Sequence, residues 1–212
     1  MTWIKICGIT NLQDALQAAT LEVDALGFIF APSPRRIDPP AAKEIIRSLP
    51  PPVLKIGVFV DEEIPKVRKI ADECGLNGLQ FHGHESPEYC QAFSLPVIKT
   101  ITIRGMESLK EMEQYPSVSI LLDTWSAEKA GGTGKVFCWE WAEKAKERRG
   151  FILSGGLNPM NVYQAIQRLT PFGVDVCSGV EQIPGKKDSW KMIDFVQEVR
   201  RADASTRLKK DV

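Results

Sequence analysis

Short apolar runs alternate along the whole chain with longer stretches in which apolar positions recur every three or four residues. The runs are Ile4–Cys7, Ala25–Phe30, Leu54–Val60, Leu79–His82, Val97–Ile103, Ser119–Asp123, Phe151–Ser154 and Val174–Cys177. They are rich in Ile, Val and Phe and several are too short for helices, so they predict strands. The stretches between them carry helix start signals. Thr10 or Asn11 can cap a helix through Leu12, Ala15, Leu16 and Ala19. Pro39-Pro40 opens a second with Ile45, Ile46 and Leu49 on one side, and Asp61 precedes a third that carries Ile64, Val67 and Ile70 and stops at Gly75. Ser86-Pro87-Glu88 opens a short fourth, Met106–Tyr115 and Cys138–Arg148 make the fifth and sixth, and Asn158-Pro159 starts the seventh. Ser189 is the expected cap of the last, which runs through Ile193, Val196 and Val199.

Eight strands in strict alternation with eight helices imply parallel strands joined by right-handed crossovers. The predicted fold is α/β, a closed (β/α)8 barrel in one domain over residues 1–202, followed by a basic tail over 203–212. An open doubly wound sheet fits less well, because no strand is followed by GxGxxG. No linker or second domain is visible.

Composition narrows the partners. With 43% hydrophobic and 25% charged residues in 212, the chain is an ordinary globular one. Lys plus Arg and Asp plus Glu are equal at 27 each, which argues against a nucleic-acid partner. The last thirteen residues are the basic exception, with Arg200, Arg201, Arg207, Lys209 and Lys210 against Asp203 and Asp211. A solvated, fraying end is expected there. No run approaches the ~18 apolar residues that span a membrane, and the first residues lack a signal-peptide pattern. Five cysteines without CxxC spacing point to a reducing cytoplasm.

Barrels of this type work at the C-terminal ends of their strands. The first strand ends Lys5-Ile6-Cys7-Gly8, where alternation puts Lys5 and Cys7 on one face. An ammonium beside a thiol favours the thiolate. Gln80 and His82 share a face at the end of the fourth strand, and the sixth ends in Asp123. A carboxylate there is costly unless it is hydrogen-bonded or serves chemistry. Asp175 lies within the apolar eighth strand, a neighbour of the first, where it can pair with Lys5 or reach a ligand. Glycine-rich turns follow the last three strands: Gly131-Gly132-Thr133-Gly134, Ser154-Gly155-Gly156 and Ser178-Gly179. Glycine lets backbone N–H groups approach an anion, so Gly132, Gly134, Ser154, Gly155, Gly156, Ser178 and Gly179 are candidates for a phosphate cradle. The stretch ending Gly134-Lys135-Val136 fails the GxxxxGK[ST] pattern of nucleotide hydrolases. His82 and His84 are the only histidines, and a turn with a solvated His84 is the expected reading, with no metal. After the second strand, Pro32-Ser33-Pro34-Arg35-Arg36 is a stiffened loop with planar donors suited to a carboxylate.

These segments in this order resemble the phosphoribosylanthranilate isomerase family of tryptophan biosynthesis. The resemblance runs through Lys5-Ile6-Cys7-Gly8-Ile9-Thr10, Gly27-Phe28-Ile29-Phe30, Ser33-Pro34-Arg35, Gly57-Val58-Phe59-Val60, Gln80-Phe81-His82-Gly83 and Leu122-Asp123-Thr124. It continues in Gly131–Lys135, Leu153–Leu157, Ser178-Gly179-Val180-Glu181 and Pro184–Asp188. It implies a (β/α)8 barrel and an Amadori rearrangement of a small phosphoribosyl substrate, with neither cofactor nor metal. By resemblance, Cys7 is the general base, Asp123 the general acid, Arg35 the partner of a substrate carboxylate, and the glycine turns the phosphate cradle. Arg36, next to Arg35, leaves open which of the two meets the carboxylate. Gln80, His82 and Asp175 are further substrate-binding candidates. Phe81 and Cys177 depart from the family pattern, the latter adding a second thiol near the mouth. The basic tail has no family counterpart. A monomer or a homodimer is compatible with the chain. Three rivals are a histidine-pathway isomerase, which resembles this family but has a carboxylate at the position of Cys7, indole-glycerol-phosphate synthase, whose essential Lys and Glu set is not apparent here, and a non-catalytic barrel that binds phosphorylated sugars.

Overall fold

The computed structural model describes residues 1–124, 139–147 and 150–208. The eight apolar runs become β1 (Trp3–Cys7), β2 (Ala25–Ile29), β3 (Leu54–Phe59), β4 (Gly78–Phe81), β5 (Val97–Ile103), β6 (Ser119–Thr124), β7 (Ile152–Ser154) and β8 (Gly173–Val176). They pair in parallel in chain order, and β1 closes on β8 with Lys5 beside Asp175 and Ile6 beside Val176. Every strand is buried on both faces, which is why the runs read as continuously apolar.

The two faces nevertheless differ. Ile4, Ile6, Leu26, Phe28, Leu79, Phe81, Ile101, Leu122, Leu153 and Val174 point outward into the core shared with the helices. Ala25, Ile56, Ile98, Leu121 and Ile152 fill the floor of the barrel interior, where Trp3 packs against them. Each such buried Ile or Leu contributes about 1.5–3 kcal/mol. Further along the same inward faces, polar residues replace apolar ones: Lys5 and Cys7 on β1, Gln80 on β4, Asp123 on β6, Ser154 on β7 and Asp175 on β8. The barrel therefore has an apolar floor and a polar mouth.

The outer layer holds α1 (Leu12–Thr20), α2 (Pro39–Arg47), α3 (Ile64–Cys74), α4 (Pro87–Gln91), α5 (Trp139–Lys146), α6 (Val162–Leu169) and α7 (Ser189–Leu208). Asn11 caps α1, its side chain accepting from the Asp14 N–H at 2.9 Å, and Gly75 ends α3 in the left-handed conformation. Several local expectations are corrected. Met106–Gln114 is a 3-10 helix rather than an α-helix. Leu109, Met112 and Tyr115 are all buried at a spacing of three, and a three-residue turn stacks such positions on one side. The third helix starts at Ile64, with Glu63 at its cap position. Asp61 precedes it, as expected, and also braces the turn after β4, accepting from the His84 N–H at 2.5 Å. Asp188, not Ser189, caps α7 by accepting from the Lys191 N–H at 3.1 Å.

Residues 203–208 continue α7 rather than fray. The Asp203 carboxylate takes the Thr2 N–H at 2.9 Å and the Thr2 hydroxyl at 2.6 Å, which ties this segment to the start of β1. A hairpin that the hydrophobic pattern did not predict, β9 (Glu181–Ile183) and β10 (Lys186–Lys187), turns at Pro184-Gly185 beyond β8.

Candidate active site

A cavity of about 480 Å³ opens at the C-terminal ends of the strands. Its lining brings together Cys7, Arg35, Gln80, His82, Asp123, Ser154, Gly155, Gly156, Asp175 and Ser178. Among the candidates, Gly179 does not line it, and Gly132 and Gly134 lie outside the described residues.

Cys7 is buried under the mouth on β1. The inward neighbour on β2 is Gly27, where a Cβ would stand 2.7 Å from the Cys7 sulfur and 3.1 Å from Lys5 Cε. Only glycine leaves this thiol its place. The Cys7 pKa is lowered to about 6 by hydrogen bonding with Cys177 and by the Lys5 ammonium, against the opposing effect of burial. Lys5 is fully buried, and its Nζ meets Asp175 Oδ1 at 2.9 Å. Burial works against the Lys5 charge, but Asp175 and Cys7 outweigh it and hold the ammonium above its ordinary pKa. The other oxygen of Asp175 accepts from the Ser154 hydroxyl at 3.3 Å. Asp175 thus pairs with Lys5 and also reaches the cavity.

Asp123 lies one residue before the end of β6 at the mouth, its side chain 29% exposed, where a buried strand end was expected. Its Oδ2 lies 3.2 Å from His82 Nε2. Gln80 is buried, and its amide donates to the Thr100 hydroxyl at 3.2 Å while its own oxygen has no partner among the described residues. His84 is almost fully exposed, on the outside of the same turn.

Arg35 and Arg36 part company. In the loop after β2, the Ser33 hydroxyl accepts from the Arg35 N–H at 3.1 Å, and the Ser33 carbonyl accepts from the Arg36 N–H at 3.1 Å. The turn sends Arg35 into the cavity and Arg36 outward to Asp38 at 3.6 Å. Arg35 donates from Nε and Nη2 to Glu181 at 2.8 and 2.7 Å, leaving the Nη1 edge of its fork for another acceptor. Hydrogen bonding to Glu181 raises the Arg35 pKa. Burial disfavours the Glu181 charge, yet Arg35 and Lys187 hold its carboxyl below the usual range.

Gly155 and Gly156 follow β7 in the left-handed region, with φ of 87° and 68°, so the turn after this strand needs residues without a Cβ. Gly179 has a different reason to be glycine: a Cβ there would fall 1.8 Å from the Leu157 carbonyl. It seals the β7 and β8 turns against each other rather than facing the cavity. Sequence reasoning missed the apolar walls, Ile29 and Val58, and the supports Glu181 and Lys187. The first two were readable from the period-two alternation of β2 and β3. The supports sit on the hairpin, whose Pro-Gly turn was the available signal.

Fold and site together define a (β/α)8-barrel protein with a ligand cavity at its C-terminal face, lined by a thiol, a carboxylate, an arginine fork and glycine-rich turns. The family described as N-(5'phosphoribosyl)anthranilate (PRA) isomerase matches residues 4–198. The N-(5'-phosphoribosyl)anthranilate isomerase of Desulforudis audaxviator is 52% identical over 205 residues, covering 95% of this chain and 100% of that one. A crystal structure of phosphoribosyl anthranilate isomerase from Thermotoga maritima is similar with a TM-score of 0.89 and 43% identity, over 95% of this chain and 100% of that one. Another solved structure, of phosphoribosyl anthranilate isomerase in complex with reduced 1-(o-carboxyphenylamino)-1-deoxyribulose 5-phosphate, has a TM-score of 0.86 and 40% identity, with coverage of 95% and 100%. The chain belongs to the N-(5'-phosphoribosyl)anthranilate isomerase family, a family of isomerase enzymes.

Proposed function

We propose that this chain converts N-(5-phosphoribosyl)anthranilate to 1-(2-carboxyphenylamino)-1-deoxyribulose 5-phosphate, with Cys7 as general base and Asp123 as general acid. The observation that carries the reading is the placement of a lowered thiol on β1 and a carboxyl group on β6 in the wall of one cavity. As general acid, the Asp123 carboxyl gives a proton to the ribose ring oxygen, the ring opens, and the substrate nitrogen forms a Schiff base with C1. That cation acidifies the proton on C2, and the Cys7 thiolate removes it. The resulting enolamine tautomerises to the ketose. Arg35 offers its free Nη1 edge to the anthranilate carboxylate, and the Ser154–Gly156 and Ser178 turns cradle the phosphate. One acid and one base suffice for these steps without a cofactor.

The test generates the substrate in place from anthranilate, phosphoribosyl pyrophosphate and anthranilate phosphoribosyltransferase, and follows the decay of its fluorescence. Wild-type chain should accelerate the decay, and Cys7→Ser and Asp123→Asn should each lower kcat by at least about a hundredfold. Folded wild-type chain that leaves the decay unchanged would reject the activity. Normal turnover by both variants would reject the roles of the two residues.

A further inference from the structure

Cys7 has a second thiol beside it. Ile6 and Val176 stand side by side on the neighbouring strands β1 and β8, and the next residue of each chain segment is a cysteine. Cys7 and Cys177 both line the cavity. Cys177 reaches past the end of β1: a Cβ on Gly8 would meet its sulfur at 2.9 Å and Arg35 Cδ at 3.0 Å, so Gly8 is the gap that admits both. The Lys187 ammonium lies 3.9 Å from the same sulfur and 3.1 Å from the Cys177 carbonyl, which fixes the residue from the hairpin side.

The charged groups facing the two thiols make them unequal. Lys5 from β1 approaches Cys7, with Asp175 of β8 as its partner. Arg35 from the loop after β2 and Lys187 from β10 approach Cys177. Hydrogen bonding to Cys7, and then burial, push the Cys177 thiol far above its ordinary range. A neutral S–H next to a thiolate has one use, to donate.

We propose that Cys177 is a positioning residue for the isomerisation: its thiol donates a hydrogen bond to the Cys7 sulfur and holds that sulfur, charged and oriented, toward the substrate. The inference rests on Cys7 being the base. Truncating Cys177 removes a donor and no charge, so the ionic surroundings of Cys7 stay as they are. A serine in its place keeps a donor of similar reach.

The test follows Cys7 in two ways in wild type, Cys177→Ala and Cys177→Ser, all under reductant. The rate of Cys7 alkylation by iodoacetamide, read by peptide mass spectrometry across pH, reports its titration directly. The acid limb of kcat/KM in the fluorescence assay reports its use in turnover. In Cys177→Ala both midpoints should rise by about one pH unit, and in Cys177→Ser both should stay within about 0.3 unit of wild type. An unchanged alkylation midpoint in Cys177→Ala overturns the proposal, and so does an equal rise in Cys177→Ser. If the midpoints move as expected while Cys7→Ser turns over normally, the hydrogen bond stands and the catalytic role of the pair is overturned.

Discussion

Lys5 does two things with one charge. It compensates Asp175 at the centre of the barrel, and it favours the thiolate of Cys7 one layer above. Lys5→Met would leave the Asp175 carboxylate buried without its cation. Loss of one partner from such a pair costs about 3–5 kcal/mol, and urea unfolding should show a fall of that order. The same variant should move the pH profile. With Cys7 as the proposed base, a group lost as pH falls through its pKa, wild-type kcat/KM should drop on the acid side with a midpoint near 6. Without the Lys5 ammonium that midpoint should rise, and activity near neutral pH should fall. A profile in Lys5→Met that overlays wild type would show that Lys5 serves only the packing of the barrel.

At the scale of elements, the β9–β10 hairpin works as a brace for the loop after β2. Glu181 receives both prongs of Arg35, and Lys187, fully buried, meets Glu181 at 3.1 Å. The hairpin sits about 150 residues along the chain from Arg35, so local sequence could show the arginine but not what aims it. Glu181→Gln keeps the shape and removes the charge that holds the fork. The expected result is a rise in KM of about tenfold with kcat within about threefold of wild type, because charge-assisted two-pronged contacts fix orientation as well as energy. A large loss of kcat with KM unchanged would place Arg35 in the chemistry instead of in binding. The 3-10 helix over 106–114 teaches the complementary lesson, since its period of three was present in Leu109, Met112 and Tyr115 and only the assumption of an α-helix concealed it.

At the scale of the whole molecule, the two ends of the described chain meet. Asp203 holds Thr2 through two hydrogen bonds, and Gln167 of α6 donates to the Ala202 carbonyl at 2.8 Å and to the Thr206 hydroxyl at 2.9 Å. Truncation after Ala202 should therefore destabilise the barrel by about 2 kcal/mol, lowering Tm by roughly 4–8 °C, with KM unaffected because the contacts lie at the N-terminal face. An unchanged melting curve would return this segment to the role of a passive end. The alternation of apolar runs and amphipathic stretches was enough by itself to determine the parallel barrel, because strands buried on both faces and helices buried on one leave different periods. It also determined which side chains share the inner face, since that follows from a period of two, and so it brought Cys7, Gln80, Asp123 and Asp175 to one mouth. What it could not decide was the contacts between residues distant along the chain: Arg35 rather than Arg36 in the cavity, Cys177 beside Cys7, Glu181 beneath the arginine fork, and Gly179 spent on Leu157. Those depend on distances of an ångström or two between loops, which closure of the barrel and packing of its last hairpin set and no local pattern encodes.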